Sequence, residues 1–185
     1  MVTAPNLGNL TVVWTLNGAA VQTNLLAMRT AETNVSFSAV LPLGTNLVAV
    51  TVSDTASNSA SCSTTITVVD TTPPVIQSVT ASPDVLWPPN HQLVPVRLQA
   101  MVSDECGPAT WRIVTVSSDE GEDARGSGHT VPDWQIISND SVLLRAELSG
   151  NGNGRLYTIT VQATDLSGNS SQGLVTVSAP HDGAK

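Results

Sequence analysis

Basic residues and long apolar runs are scarce in this sequence. It has 7 lysines and arginines against 15 acidic residues, a formal net charge of −8, and its single lysine is Lys185. Such a chain lacks the basic stripe that contact with nucleic-acid phosphates requires, so we expect no nucleic-acid partner. No apolar run approaches the ~20 residues of a membrane-spanning helix, so we expect no membrane span.

Catalytic signatures are also missing. The sequence has no GxSxG nucleophile elbow, no HExxH metal motif and no glycine-rich phosphate loop. Its three histidines, at positions 91, 129 and 181, are not spaced as a metal triad. We therefore expect a protein that is not an enzyme. Low charge and abundant Ser, Thr and Asn favour an extracellular or cell-surface location, secreted in the bacterial manner.

Val, Thr, Ser, Asn and Gly are plentiful, and they favour strands and turns over helices. The segment 73–180 divides into seven short strands separated by turn residues, which predicts a sandwich of two antiparallel sheets. Before it, the alternating pattern predicts strands over 10–18, 34–41, 47–53 and 63–69. On the first of these strands Trp14 shares a face with apolar residues, so we expect it in a core.

The sequence contains one hairpin pattern twice. "VAVTVSDTASNSA" (48–60) aligns with "ITVQATDLSGNSS" (159–171), with Asp54 over Asp165. Each copy is a strand, a turn led by Asp and a second strand, and an Asp in such a turn accepts hydrogen bonds from amides two residues on. Two copies at domain-length spacing predict two related domains.

A proline pair marks the boundary between these domains. A central strand cannot run through Pro73-Pro74, because proline donates no ladder hydrogen bond. We therefore divide the chain into domains 1–70 and 71–185, with a short C-terminal tail on the second. By the repeat, the first strands of domain 1–70 would precede Met1, so this domain looks truncated.

Several motifs resemble a known class of module. "VVDTTPPVI", "SDECGP" and "TDLSGNSS" resemble hyalin-repeat and related bacterial immunoglobulin-like modules of surface proteins. "LWPPNHQLVPV", "VPDWQI" and the closing "PHD" are similar to a subgroup that ends long bacterial extracellular proteins. The resemblance implies an all-β chain of tandem immunoglobulin-like antiparallel β-sandwiches. It also implies that Tyr157, near the start of a late strand, ties back to a nearby loop.

The family's disulfide is not expected here. The resemblance implies a bond between a Cys after the second strand, matched by Cys106, and a Cys at the start of the last strand, matched by Cys62. These two belong to different domains, and the repeat places Gly173 where the partner of Cys106 would be. A Cys62–Cys106 bond would have to bridge about eight strand residues, ~26 Å, which exceeds disulfide reach.

Four carboxylates form a candidate interdomain calcium site. In an up-and-down sandwich the second and sixth strands of the second domain finish where the connector enters. The candidate ligands around that point are Asp70, Asp104, Glu105 and Asp165. Calcium takes such hard oxygen ligands, and related modules with similar linkers stiffen their junctions with calcium. The alternative is that Asp165 only caps its turn and that the loop acids are solvated.

Two weaker candidate sites lie elsewhere in the second domain. A glycine-rich segment, 117–134, is a second candidate metal site through Asp119, Glu120, Glu122, Asp123 and Asp133. The alternative is a merely solvated acidic loop. Trp87 and Trp134 are candidate carbohydrate-stacking residues. The simpler interpretation of Trp87 is that it belongs to a rigid crossover and packs on the edge of the sandwich.

Two functions fit these observations. The first is a non-catalytic structural module of a stalk, adhesin or fibre, stiffened by calcium or assembled by strand complementation. Its partners would be other copies of the chain or neighbouring domains of a longer polypeptide. The alternative is a carbohydrate-binding accessory module of a secreted enzyme, with surface polysaccharide as its ligand. Because the chain has only 4 Trp, 1 Tyr and 1 Phe, the structural function is preferred.

Overall fold

The computed structural model describes residues 2–3, 8–27, 32–121, 130–150 and 154–181. The predicted all-β class is confirmed: the regular structure is strand, and all the ladders between strands are antiparallel. No helix able to cross a membrane occurs among the described residues. Contacts divide the chain into two compact units, Met1–Asp70 and Thr71–Lys185.

The first unit is built around a single four-stranded sheet. Its strands are β1 (Val2–Thr3), β2 (Asn9–Leu16), β3 (Ala19–Ala27), β4 (Glu32–Thr33), β5 (Gly44–Asp54) and β6 (Ser59–Val68). The sheet order is β3-β2-β5-β6, and β1 pairs separately with β4. A two-residue turn joins β2 to β3, and both of its residues, Asn17 and Gly18, have positive φ, at 52° and 85°. This is the backbone that Asn-Gly favours in hairpins.

One face of this sheet is apolar. Leu10 and Val12 are buried on it, and Trp14 stacks on Phe37 with ring centroids 4.8 Å apart. The strand predicted over 34–41 is wrong, because residues 34–42 form no strand. That segment alternates like a strand, yet it packs Phe37 against Trp14 without joining the sheet. The position next to β2 in the sheet is occupied by β3.

The second unit has two sheets that face each other. Its strands are β7 (Val75–Ser82), β8 (Leu93–Ser103), β9 (Ala109–Ser118), β10 (Trp134–Ile136), β11 (Ser141–Arg145), β12 (Gly154–Asp165) and β13 (Ser170–Pro180). The orders are β10-β11-β8-β7 and β13-β12-β9. Both sheets supply the core, for example Leu98 and Leu144 from the first sheet and Ile159 and Val161 from the second. These seven strands lie where the alternating pattern predicts them.

The second unit has two ends, which we call the near pole and the far pole. At the near pole β7 begins with Val75, which pairs with Ser103, and the Ser171 hydroxyl donates to the Pro74 carbonyl at 2.5 Å. At the far pole β13 ends with Pro180, which pairs with Gly154. The chain therefore enters this unit at one pole and leaves it at the other.

Candidate functional site: a buried ion cluster and capped turns

The far pole contains a buried group of charges, which we call the Arg155 cluster: Glu120, Asp133, Arg145, Glu147 and Arg155. The Arg155 side chain is fully buried, and its Nη1 donates to Asp133 Oδ2 at 2.6 Å and to Glu147 Oε1 at 3.3 Å. Its Nε donates to Glu120 Oε2 at 3.2 Å. Both Asp133 and Glu147 are fully buried, so Arg155 neutralises carboxylates that water cannot reach.

The two arginines of the cluster also bind backbone carbonyls. Arg145 donates from Nη1 to the His91 carbonyl at 2.8 Å and from Nη2 to the Pro132 carbonyl at 2.7 Å. Arg155 Nη2 donates to the Gly121 carbonyl at 3.0 Å. A guanidinium has five donors in a fixed fork, so one side chain can hold several groups at once. The cluster thereby fastens three loop segments to β11 and β12.

Tyr157 connects the two arginines. Its hydroxyl donates to the Arg145 carbonyl at 2.8 Å and accepts from Arg155 Nη1 at 3.2 Å. Burial raises the pKa of Tyr157 to about 12, so the phenol stays protonated and remains a donor. Trp134 packs edge-on against the same ring, with centroids 6.5 Å apart. Tyr157 thus ties back to Arg145, the last residue of β11, whereas the resemblance implied a nearby loop as its partner.

The carboxylates of the cluster differ in how well they are satisfied. Glu147 Oε2 accepts from the Thr130 hydroxyl at 2.5 Å and lies 3.2 Å from His91 Nδ1. Asp133 Oδ1 is buried and has no hydrogen-bond partner among the described residues. Burial raises the pKa of Asp133, against the lowering effect of its bond to Arg155, and nearby Glu147 raises it further. The buried charges of the cluster are therefore compensated mainly by contacts with one another.

The repeated Asp residues cap equivalent turns. Asp54 Oδ1 accepts from the Ala56 and Asn58 amides at 2.8 and 2.9 Å, and its Oδ2 accepts from Asn58 Nδ2 at 2.8 Å. Asp165 makes the matching pair of bonds to Asn169, both at 2.8 Å. The Asn58 side chain lowers the pKa of Asp54. Burial raises the pKa of Asp165, but its bonds from Asn169 and from turn amides outweigh burial and lower it overall.

The predicted calcium ligands fall in both units. Asp104, Glu105 and Asp165 lie together at the near pole, because the loop after β8 leads to Ala109, which pairs with Asp165. Asp104 Oδ1 accepts from the Cys106 and Gly107 amides at 2.8 and 3.1 Å, so it too caps a turn. Asp70 belongs to the first unit. Calcium binding by the four carboxylates stays a prediction.

The second predicted metal set is at the far pole. Asp119 Oδ1 accepts from the Leu156 amide at 2.8 Å, and Glu120 and Asp133 bind Arg155. Glu122 and Asp123 lie outside the described residues. In the structure, the guanidinium of Arg155 supplies the positive charge next to Glu120 and Asp133. Metal binding by this second set of carboxylates stays a prediction.

The two candidate stacking residues have different surroundings. Trp134 packs partly buried against the core, whereas Trp87 is 50% exposed. Trp87 is therefore the residue with a ring surface available to a ligand. Carbohydrate binding through either ring stays a prediction.

Both cysteines are exposed, Cys62 on β6 and Cys106 in the loop after β8. Gly173, the position that the repeat assigns to a partner of Cys106, is closely packed. A Cβ added there would lie 3.3 Å from two carbons of Ile76. The approach of β7 to β13 therefore explains why a small residue is found at this position. The absence of a Cys62–Cys106 bond in solution stays a prediction.

Sequence reasoning missed the residues that hold the Arg155 cluster together, namely Arg145, Glu147 and Arg155. A signal for Arg155 was present, because strand side chains alternate between two faces. Arg155 is two residues before Tyr157 and four before Ile159, so it shares their inward face. A charged residue at an inward position requires a buried partner.

Comparison with known proteins adds no assignment to this geometry. No protein-family model matches the chain, and no curated protein matches it at a significant level.

Proposed function

We propose that this chain is a non-catalytic structural module of an extracellular or cell-surface protein, a segment of a stalk, adhesin or fibre. The observation that carries the proposal is the path of the chain through each unit. In the second unit, β7 and β13 both run from the near pole to the far pole and contact each other. A load applied through the two chain ends therefore acts along the strands.

In the sheet of the first unit, β2 and β6 also run in the same direction. Leu10, near the start of β2, pairs with Asp54, whereas Val68, at the end of β6, pairs with Gly44 at the opposite end of the sheet. Hydrogen bonds between antiparallel strands are perpendicular to the strands. A force along the strands loads many of these bonds together, whereas a force across a sheet edge breaks them one at a time. Each unit is thus built to transmit tension.

The Arg155 cluster supports this function. It lies where the chain leaves the second unit, since Arg155 pairs with Ala179 one residue before the end of β13. Its bonds fasten the loops around this exit to the two sheets. We propose that the acidic residues of the Arg155 cluster increase the mechanical stiffness of this far pole. A calcium ion bound by the four carboxylates predicted from the sequence would add stiffness elsewhere in the chain.

Single-molecule pulling tests the proposal. The full chain is held by its two ends, and the second unit should unfold in one step with an extension on the order of 35 nm, at about 3.6 Å per residue. In the matched control the handles are attached at Val75→Cys and Leu166→Cys, with Cys62 and Cys106 changed to Ser. Both positions are exposed and lie at the near pole. In this geometry the force acts across the strands and breaks their hydrogen bonds one after another, so unfolding should need a clearly lower force. Equal forces in the two geometries would contradict the proposal.

One observation favours the carbohydrate-binding alternative, the half-exposed ring of Trp87. If that ring stacks on sugars, affinity electrophoresis in gels with soluble polysaccharides should retard the chain, and Trp87→Ala should abolish the retardation. Trp134→Phe is the control, because that ring packs on the core. Unretarded migration in all gels excludes this alternative and leaves the mechanical proposal intact.

A further inference from the structure

β6 is an edge strand, and the described part of the chain provides it with no protection against pairing. It is ten residues long, and every residue from Ser59 to Thr67 is exposed. It contains no charged residue and no proline, and its ladder with β5 runs without a register shift. Among the described residues, β6 hydrogen-bonds to no strand except β5. Exposed, long and regular edges of this kind template pairing with another strand.

The other edge strands of the described sheets are short or carry a protective feature. Bulges interrupt the ladders of β3, β7 and β9, β10 has only three residues, and β1 and β4 have two residues each. Segment 84–86 bonds to β13 at Ser178. In addition, Gln22 of β3 donates to the Ser36 carbonyl at 2.9 Å, which brings another segment against that edge. Among the described edge strands, β6 is therefore the best candidate for pairing with another molecule.

The composition of β6 favours a second copy of itself as the partner. The chain carries a net charge of −8, yet two β6 strands meet without any charge between them. One face of β6 presents Ser61, Ser63 and Thr65, and in an antiparallel pair such hydroxyl residues lie opposite each other and stabilise the sheet. A two-fold axis satisfies both edges at once, which gives a closed contact.

We propose that β6 pairs antiparallel with β6 of a second copy, with a two-fold axis near the middle of the strand, so that two first-unit sheets join into one eight-stranded sheet. This deepens the proposed function, on which it rests, by identifying the partner and the contact through which modules are joined side by side. Main-chain hydrogen bonds supply the affinity, as in other cases of strand addition.

Sedimentation equilibrium over a concentration series tests the pairing. The full chain should reach a dimer mass and no higher. The double variant Ser63→Lys/Thr65→Lys places like charges across the two-fold axis and should weaken dimerisation at least ten-fold. The matched control, Thr45→Lys/Thr51→Lys, adds the same charge at exposed positions of β5, one strand inward, and should dimerise like the parent chain. Circular-dichroism melts verify that both variants fold.

A short bis-maleimide cross-linker reports the register. In a Cys106→Ser chain, Cys62 lies next to the strand centre, so two copies should be linked, and the edge lysines should prevent linking. A monomer at all concentrations, a mass that grows without limit, or equal dimerisation of both lysine variants would each overturn the pairing. None of these outcomes affects the single-molecule pulling result, so the two proposals fail independently.

Discussion

Replacing Arg155 with methionine should be the most damaging single change in the second unit. Methionine fills much of the same volume but provides no charge and no donor. The change would leave the fully buried Asp133 and Glu147 carboxylates without their guanidinium. It would also remove the bonds that Arg155 makes to Glu120 and to the Gly121 carbonyl.

The expected loss follows from this geometry. Breaking a buried ion pair by removing one partner costs about 3–5 kcal/mol, because a buried charge is left uncompensated. A second arginine moderates the loss only weakly, since Arg145 Nε lies 3.9 Å from Asp133 Oδ1 and 4.0 Å from Glu147 Oε2. We therefore expect Arg155→Met to lower the free energy of unfolding of the second unit by about 3–5 kcal/mol.

Urea unfolding followed by tryptophan fluorescence measures this loss, because Trp134 contacts Tyr157 beside the cluster. The control is Arg97→Met. Arg97 also pairs with a carboxylate, Asp140, at 3.4 Å, but its side chain is 74% exposed. Exposed pairs contribute about 0–1 kcal/mol. Similar losses for the two variants, or a loss below ~1 kcal/mol for Arg155→Met, would refute the assignment of the cluster as a major source of stability.

The destabilisation should also depend on pH. Burial already raises the pKa of Asp133, and removing the guanidinium raises it further. A carboxyl group with a raised pKa in the folded state favours folding in acid and costs stability as the pH rises through that pKa. The effect of Arg155→Met should therefore be larger at about pH 7 than at about pH 4.5, near the ordinary range of carboxyl groups. A loss independent of pH would mean that packing, and not charge, is what Arg155 supplies.

Two further predictions concern the near pole. Asp165→Ala should lower the melting temperature of the second unit. The pKa of Asp165 is lowered in the folded state, so its ionised form stabilises the fold. This stabilisation is complete above the ordinary carboxyl pKa of about 3.9 and is lost as the pH falls through the folded-state value. Melts of both proteins from neutral to acid pH should therefore converge, and parallel curves would contradict the capping role. If Asp70, Asp104, Glu105 and Asp165 share a calcium ion, replacing EDTA with calcium should raise the melting temperature, and an unchanged melt would exclude that site.

Strand positions in the second unit could be predicted because its sandwich follows the period-2 pattern closely. In the first unit the same pattern was ambiguous. Residues 34–41 alternate but form no strand, whereas β3, with its mixed "AAVQTNLLA", does. The decisive signal was Asn17-Gly18, since this dipeptide supplies the two positive φ angles of a tight hairpin. Local turn chemistry, more than apolar alternation, therefore determines where β3 forms.

The candidate sites were predictable where the chemistry is local. Asp54 and Asp165 cap turns within four residues of themselves, so a short sequence window contains both partners. The Arg155 cluster joins residues far apart in sequence, such as Glu120 and Arg155, through the fold. No window contains them together. Their acidic members therefore looked like a solvated loop or a metal site until the arginines were found beside them.

The two poles of the second unit use carboxylates in opposite ways. At the near pole, hydrogen bonds from turn amides and Asn169 lower the pKa of Asp165, so its stabilising effect depends on the ionised form. At the far pole, burial raises the pKa of Asp133, so that carboxyl group tolerates protonation. Acidification should therefore weaken the near-pole turn, because protonation of Asp165 removes the bonds that its carboxylate accepts from the Asn169 amide and side chain. The two carboxyl groups thus respond to acid in opposite senses: protonation removes the stabilising form of Asp165, whereas Asp133 is the group whose protonation the folded state favours.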